Sequence, residues 1–332
     1  MVGSDHGWVV TADELSNLQV INPLSGVQID LPPVTEIYHV ESFTDDRGNL
    51  MYNNQENWMR RHDPQWLPVP YPPQRLRLFL YFRVTLSCSP SAGSECVVLL
   101  LHRPDGELSF ARVGDQSWTR LTGIENLPDR GYRYAFYNKN DRLFYLLNCQ
   151  GSIHTLDLNG SSSSPVTNQI FKEIVLWDNP TKSIAVTPRG EMLQVWRCRD
   201  LRWVDTPYAS LQRILMMFMI HVRSCTRMKC MLLFMVDIDG QKLDKMDSLE
   251  DYVLFMGFNS SVCLSAKDFP NLKAGAYLAD DAYEEICINK HTWRELGIWN
   301  FKSETLESLG DPPSVLPWLN WPPPIWITPS IH

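Results

Sequence analysis

Three groups of residues in this chain have types that could do chemistry. Asp237-Ile238-Asp239-Gly240 begins like a calcium loop, where alternating carboxylates converge on a hard cation around a glycine turn. The glycine falls two places early, and Ser248 holds the twelfth position, where a bidentate Glu is required. A β-turn explains the segment better. His221, Cys225 and Cys230 are soft ligands of the kind zinc takes, but their spacing is not that of a zinc pair and no fourth ligand is evident. Asp280, Asp281, Glu284 and Glu285 form the densest acidic cluster. Asp280 and Glu284 have the types for an acid/base pair, yet an acidic cluster in a solvated turn is the commoner arrangement. The chain has no Gly-rich phosphate loop, no G-x-S-x-G elbow and no HExxH pair. The sequence therefore assigns no catalytic residue, no metal ligand and no cofactor.

The elements that would carry any site are strands. Between Leu232 and Ala266, LLFMVDI runs into the Asp239-Gly240 turn, QKLDKM leads away from it, and DYVLFMGF and SVCLSA follow as two further extended runs. β-Branched and aromatic residues fill the runs, with Gly, Asp, Asn and Ser between them, as expected of short antiparallel strands and tight turns. The pattern predicts one four-stranded sheet in about 35 residues, the size of a propeller blade. Similar hairpins surround Gly106, Gly151, Gly190 and Gly240, which lie 45, 39 and 50 residues apart, near the repeat of propeller blades. With Gly26, near the start of the chain, these glycines serve as turn markers. The expected fold is all-β: a β-propeller of six to seven four-stranded blades in a single domain over residues 1–332, with a pair of β-sandwiches as the alternative.

Composition narrows the partners. A net charge of −8 argues against nucleic acid, because phosphate binding draws on Lys and Arg. Arg75, Arg77 and Arg83 read as one exposed face of a strand spanning Leu76 to Leu86. No charged and apolar leader opens the chain, and no window of about 18 uninterrupted apolar residues exists, so neither secretion nor a membrane span is expected. An intracellular location, cytoplasm or nucleus, follows. The eight cysteines then read as reduced thiols, and the Asn-X-Ser matches at Asn159 and Asn259 as turn residues.

His6-Gly7-Trp8, Ser16-Asn17-Leu18, Asn22-Pro23 through Gly26, Leu31-Pro32, Val236 to Leu243, Phe258 to Pro270 and the tail from Trp318 to Ser330 together resemble the plant F-box-associated propellers of the KIB type, a family long filed as a domain of unknown function. The matches run from end to end of the chain. The resemblance implies an intracellular protein-interaction module, the propeller that receives substrates for a Skp-containing ubiquitin ligase. The client is unidentified, and no cofactor is implied. A small-molecule or glycan-binding propeller, or an enzyme with a central-channel site, are the alternatives. Two features depart from the family. Only MVGSDH precedes the first strand, so the F-box is expected to be absent, the N-terminal side of the propeller incomplete and direct binding of a Skp-type adaptor doubtful. Residues 211–231, LQRILMMFMIHVRSCTRMKCM, read as an irregular insert, and 312–332 as a Pro/Trp tail packed on its own domain. A seam closed by Gly7 to Val10 with strands near Ile298 to Leu309 is also expected.

Overall fold

The computed structural model describes residues 2–54, 70–104, 106–122, 131–158, 165–174, 180–203, 224–249, 251–258, 260–281, 295–309 and 325–327. They fall into two compact units, Met1–Leu176 with Ile327–His332, and Trp177–Trp326.

The first unit opens with an antiparallel meander of β1 (Gly3–Asp5), β2 (Trp8–Ala12), β3 (Leu18–Ile21) and β4 (Gln28–Asp30). His6 and Gly7 are both left-handed, at φ 50 and 81, and Asp5 pairs directly with Trp8. That is the two-residue turn whose twist suits a hairpin. Both edges of β2 are occupied, by β1 and β3, so the expected seam through Gly7 to Val10 is not available to this strand. A three-stranded sheet of β5 (Val40–Thr44), β6 (Leu50–Asn54) and β7 (Pro70–Tyr71) follows.

Helix α1 (Pro73–Phe79) then precedes β8 (Tyr81–Leu86), and the single strand expected from Leu76 to Leu86 is corrected accordingly. Pro72 and Pro73 start the helix, where a missing N–H costs nothing. Leu76 and Leu80, four apart, both bury completely. Arg75 and Arg77, two apart, therefore lie on different faces of a helix rather than on one strand face, and Arg83, on β8, is buried with its guanidinium 4.2 Å over the Tyr134 ring.

β8 pairs with β9 (Val97–His102), β9 with β10 (Glu107–Arg112), and β10 with β11 (Thr119–Arg120). Beside this sheet lies the meander β12 (Tyr132–Asn138), β13 (Leu143–Asn148), β14 (Ile153–Asp157) and β15 (Val166–Phe171), and β8 packs against both β1 and β12. Strand β9 shows why the sheets stack. All six of its residues are buried, with Val98 and Leu100 in one apolar core and Val97, Leu99 and Leu101 in another. A strand covered on both faces reads as a continuous apolar run, and here the two covers are the neighbouring sheets.

The second unit holds β16 (Thr181–Val186), β17 (Met192–Trp203), β18 (Ser224–Asp237) and β19 (Lys242–Met246) as one meander. A five-stranded sheet follows, ordered β21 (Val262–Ser265), β20 (Tyr252–Met256), β22 (Gly275–Leu278), β23 (Gly297–Asn300), β24 (Thr305–Ser308). The four runs between Leu232 and Ala266 are thus not one sheet. Two close the β16–β19 meander and two open the next sheet. Within that sheet β20 and β22 pair in parallel, since each begins its own antiparallel group. Of residues 211–231, Ser224 onward belongs to β18 and pairs with β17, unlike the irregular insert expected; 211–223 lie outside the described residues. In the tail, Trp326 packs against Phe255 and Tyr277 and donates to the Met256 carbonyl at 3.1 Å; 312–324 lie outside the described residues.

The marker glycines occupy different turns. Gly26 lies between the third and fourth strands of its sheet, Gly106 and Gly151 between second and third, Gly190 between first and second, and Gly240 between third and fourth. Only the step from Gly106 to Gly151 measures one repeat. At Gly106 a side chain has no room, because a Cβ would come within 2.0 Å of the Tyr132 carbonyl oxygen.

A different turn recurs more faithfully. Asp13 Oδ1 accepts from the N–H groups of Leu15 and Asn17 at 2.8 and 2.7 Å, with Ser16 left-handed. Asp45 does the same for Arg47 and Asn49 around Gly48, and Asn148 for Gln150 and Ser152 around Gly151. The Asp13 turn is also a hub. Its carbonyls at Asp13, Leu15 and Ser16 accept from Arg77 on α1, Tyr52 on β6 and Tyr81 on β8, at 3.0, 2.9 and 2.5 Å. Replacing Asp13 by alanine removes three of the turn's own bonds, those from the Leu15 and Asn17 N–H groups and from the Asn17 side-chain amide, each worth about 0.5–1.5 kcal/mol. We expect a lower urea midpoint for Asp13→Ala, with most of the loss recovered in Asp13→Asn; equal midpoints for wild type and Asp13→Ala would refute the hub.

Candidate functional site

Asp237 closes the turn between β18 and β19, with Oδ1 accepting from the Gly240 N–H at 2.8 Å and Oδ2 facing Lys242 Nζ at 3.7 Å. A carboxylate so used is a turn cap. Cys230 stands opposite Cys198 on β17; His221 and the side chain of Cys225 lie outside the described residues. Among the described residues, no three His, Cys, Asp or Glu side chains converge as a metal site would need.

The acidic cluster is the main correction. Asp280 and Asp281, expected in a solvated turn, follow β22 after Ala279, with Asp280 buried and the Asp281 side chain only 6% exposed. Asp281 Oδ2 bonds the Arg197 guanidinium, which is 2% exposed. Arg199 Nη2 reaches Asp280 Oδ1 and Asp281 Oδ1, each at 3.4 Å, and Glu295 Oε2 at 3.9 Å. Glu295 Oε1 accepts from the Met228 N–H at 2.5 Å, which ties β18 into the same network. Two guanidinium groups balance the two aspartates, and Glu295 is the odd carboxylate. Burial raises its pKa, against the pull of the Met228 N–H and Arg199. Glu284 and Glu285 lie outside the described residues. The network locks strands together and leaves no carboxylate presented for catalysis, so the acid/base reading of Asp280 has no support in this geometry.

A second polar cluster lies in the first unit, and no motif announced it. Tyr38, just before β5, is 39% exposed and donates to Glu107 Oε2 at 2.5 Å. The guanidinium of Arg120 lies 3.5 Å over the Tyr38 ring and 3.3 Å from Glu107 Oε1. Beneath this surface trio, His39 stacks on His102 at 5.2 Å between centroids. His102 is wholly buried. Its Nδ1 lies 2.6 Å from the Arg103 carbonyl, which can only accept, so Nδ1 carries the proton and Nε2 accepts from the Ser109 hydroxyl at 2.9 Å. Neither buried ring nitrogen of His39 makes a well-formed hydrogen bond, although the Arg103 backbone favours its charged form. Burial pulls the His39 pKa down to about 2, with His102 and Arg120 adding to the shift. Burial likewise lowers His102 to about 4. Both rings are neutral at physiological pH. The sequence signal for this cluster was weak, since its residues come from three separate strands and a loop.

The surface trio has the features of a protein contact. Tyr and Arg dominate interface hot spots, and a stacked, salt-bridged Arg loses less side-chain freedom on binding than a loose one. No helix among the described residues is long and apolar enough to cross a membrane.

Comparison with known proteins agrees with the architecture. A family model described as the KIB1-4 β-propeller matches residues 1–300. The F-box protein SKIP23 of Arabidopsis thaliana is 24% identical over 238 residues, covering 71% of this chain and 54% of the relative. The chain spans about half the length of that curated relative.

Proposed function

Because the chain belongs to the KIB1-4 β-propeller family, we propose that it is an F-box-associated interaction module, the part that recognises a client protein for ubiquitin ligation. The observation that carries this reading is the propeller match over residues 1–300, joined to similarity with a protein named for its F-box. Stacked sheets hold their connecting segments on a rigid frame, which suits a broad grip on another protein. The Tyr38, Glu107 and Arg120 trio is the preorganised part of that surface. In this family's manner of working, a Skp-type adaptor would couple the recognised client to the ligase. The compartment is intracellular, where such ligases act.

Affinity capture with the wild-type chain, followed by mass spectrometry, tests the proposal. Wild type is expected to enrich a client, and the double variant Tyr38→Ala with Arg120→Ala to lose it at an unchanged melting temperature. Equal capture by both would remove the trio from the binding surface. Capture of nothing, together with a small-molecule thermal shift, would replace the reading with a ligand-binding propeller.

A further inference from the structure

In the sequence Cys230 stands with His221 and Cys225 as a soft ligand of no metal set, but the strand register gives it a different partner. Cys198 on β17 and Cys230 on β18 are directly opposed in the antiparallel ladder. Opposed residues have Cα atoms about 4.5–5.5 Å apart and side chains on one face. A disulfide needs about 4.4–6.8 Å between Cα atoms. Both thiols are half-buried and reduced.

Their position in the sheet is particular. Among the described residues, β16 accompanies β17 only as far as Arg197, and β19 accompanies β18 only from Leu233 onward. Beyond those points β17 and β18 continue as a two-stranded ribbon, and a bulge falls between Cys198 and Arg199. The cysteine pair therefore sits at the root of the ribbon, beside the Arg197 and Arg199 ion network. Two strands alone are marginally stable, so this root is where a cross-link would matter most.

We propose that Cys198 and Cys230 form a reversible disulfide when the protein meets a two-electron oxidant of the hydroperoxide class, stapling the root of the β17–β18 ribbon. One thiolate attacks a peroxide oxygen, the O–O bond breaks and hydroxide leaves, which gives a sulfenic acid. The second thiolate attacks that sulfur, the S–S bond forms, the S–O bond breaks and a second hydroxide leaves. The two hydroxides take up the two thiol protons. Two thiols and one hydrogen peroxide thus yield one disulfide and two waters, with the sulfur pair oxidised by the two electrons that the peroxide gains.

Other cysteines serve as internal controls. Cys96 is wholly buried, and burial pushes its thiol up to about 12; Cys263 is pushed up to about 12 by the same cause. Neither supplies the thiolate that attacks peroxide at neutral pH.

The test treats the native chain with hydrogen peroxide, blocks remaining thiols with iodoacetamide and maps tryptic peptides. The expected product joins the Cys198-Arg199 dipeptide to the peptide from Cys230 to Lys242, and dithiothreitol separates them. Cys96 and Cys263 should be recovered alkylated after unfolding. In Cys198→Ser, Cys230 should instead appear as sulfenic or sulfinic acid. Recovery of both residues alkylated, over-oxidised or joined to other cysteines in the wild-type chain would overturn the proposal, and because that mapping needs no substitution, a variant that misfolds does not obscure it.

Discussion

Arg197→Ala is expected to lower the unfolding free energy by about 3–5 kcal/mol, the loss that follows when one member of a buried ion pair is removed and the other stays. The guanidinium is 2% exposed and the Asp281 side chain 6%, so water cannot take over the vacated bond. Arg199 would remain 3.4 Å from both aspartates, which leaves two buried carboxylates and Glu295 sharing one cation. The consequence should be seen in urea unfolding of the β17 and β22 region. A double replacement, Arg197→Met with Asp281→Leu, should recover much of the loss, because well-packed apolar side chains often replace a buried pair at little cost. If Arg197→Ala cost less than about 1 kcal/mol, the pair would be behaving as a solvated surface bridge.

This network also shows where the sequence stopped being informative. Asp280 and Asp281 looked like a solvated acidic turn because their partners Arg197 and Arg199 lie more than 80 residues away. Charge clusters carry no mark of burial. Local hairpins fared better: β9 to β10, β13 to β14 and β16 to β17 were all readable, since alternation and turn chemistry act within a dozen residues. Assigning strands to sheets was not, because the turn from β19 to β20 looks like any other while the chain passes from one sheet to the next. The RLRLF of α1 satisfied both a strand and a helix period, and only the two prolines before it favoured the helix. Glycine was an incomplete marker of left-handed turns. Ser16, Arg142 and Glu304 hold the same backbone region at φ 71, 61 and 51, so a search for glycine passes over them. The Asp or Asn that accepts from two following N–H groups is the better signature of these turns.

Stability should fall steeply as pH drops from 7 to 5, and His39 with His102 should supply much of the slope. In the folded chain both pKa values are lowered, to about 2 and about 4, below the value near 6.5 expected when unfolded. A histidine whose folded pKa is lowered contributes fully above the unfolded value. Its contribution is lost as pH falls below about 6.5 and stops changing only at the folded pKa. Each histidine then costs about 1.4 kcal/mol per pH unit, on the order of 4 kcal/mol for the two at pH 5. His154, lowered by burial as well, acts in the same sense. Glu295 acts in the opposite sense, because its raised pKa makes the acid form the favoured one in the fold. His39→Phe separates these contributions. A phenyl ring keeps the stacking on His102 and removes both the titration and the two buried ring nitrogens. Urea midpoints measured from pH 8 to pH 5 should show a shallower decline for His39→Phe than for wild type, with stability at pH 8 equal or higher. Parallel declines would mean that His39 is not held neutral by the fold, and would move the acid sensitivity to groups elsewhere in the chain.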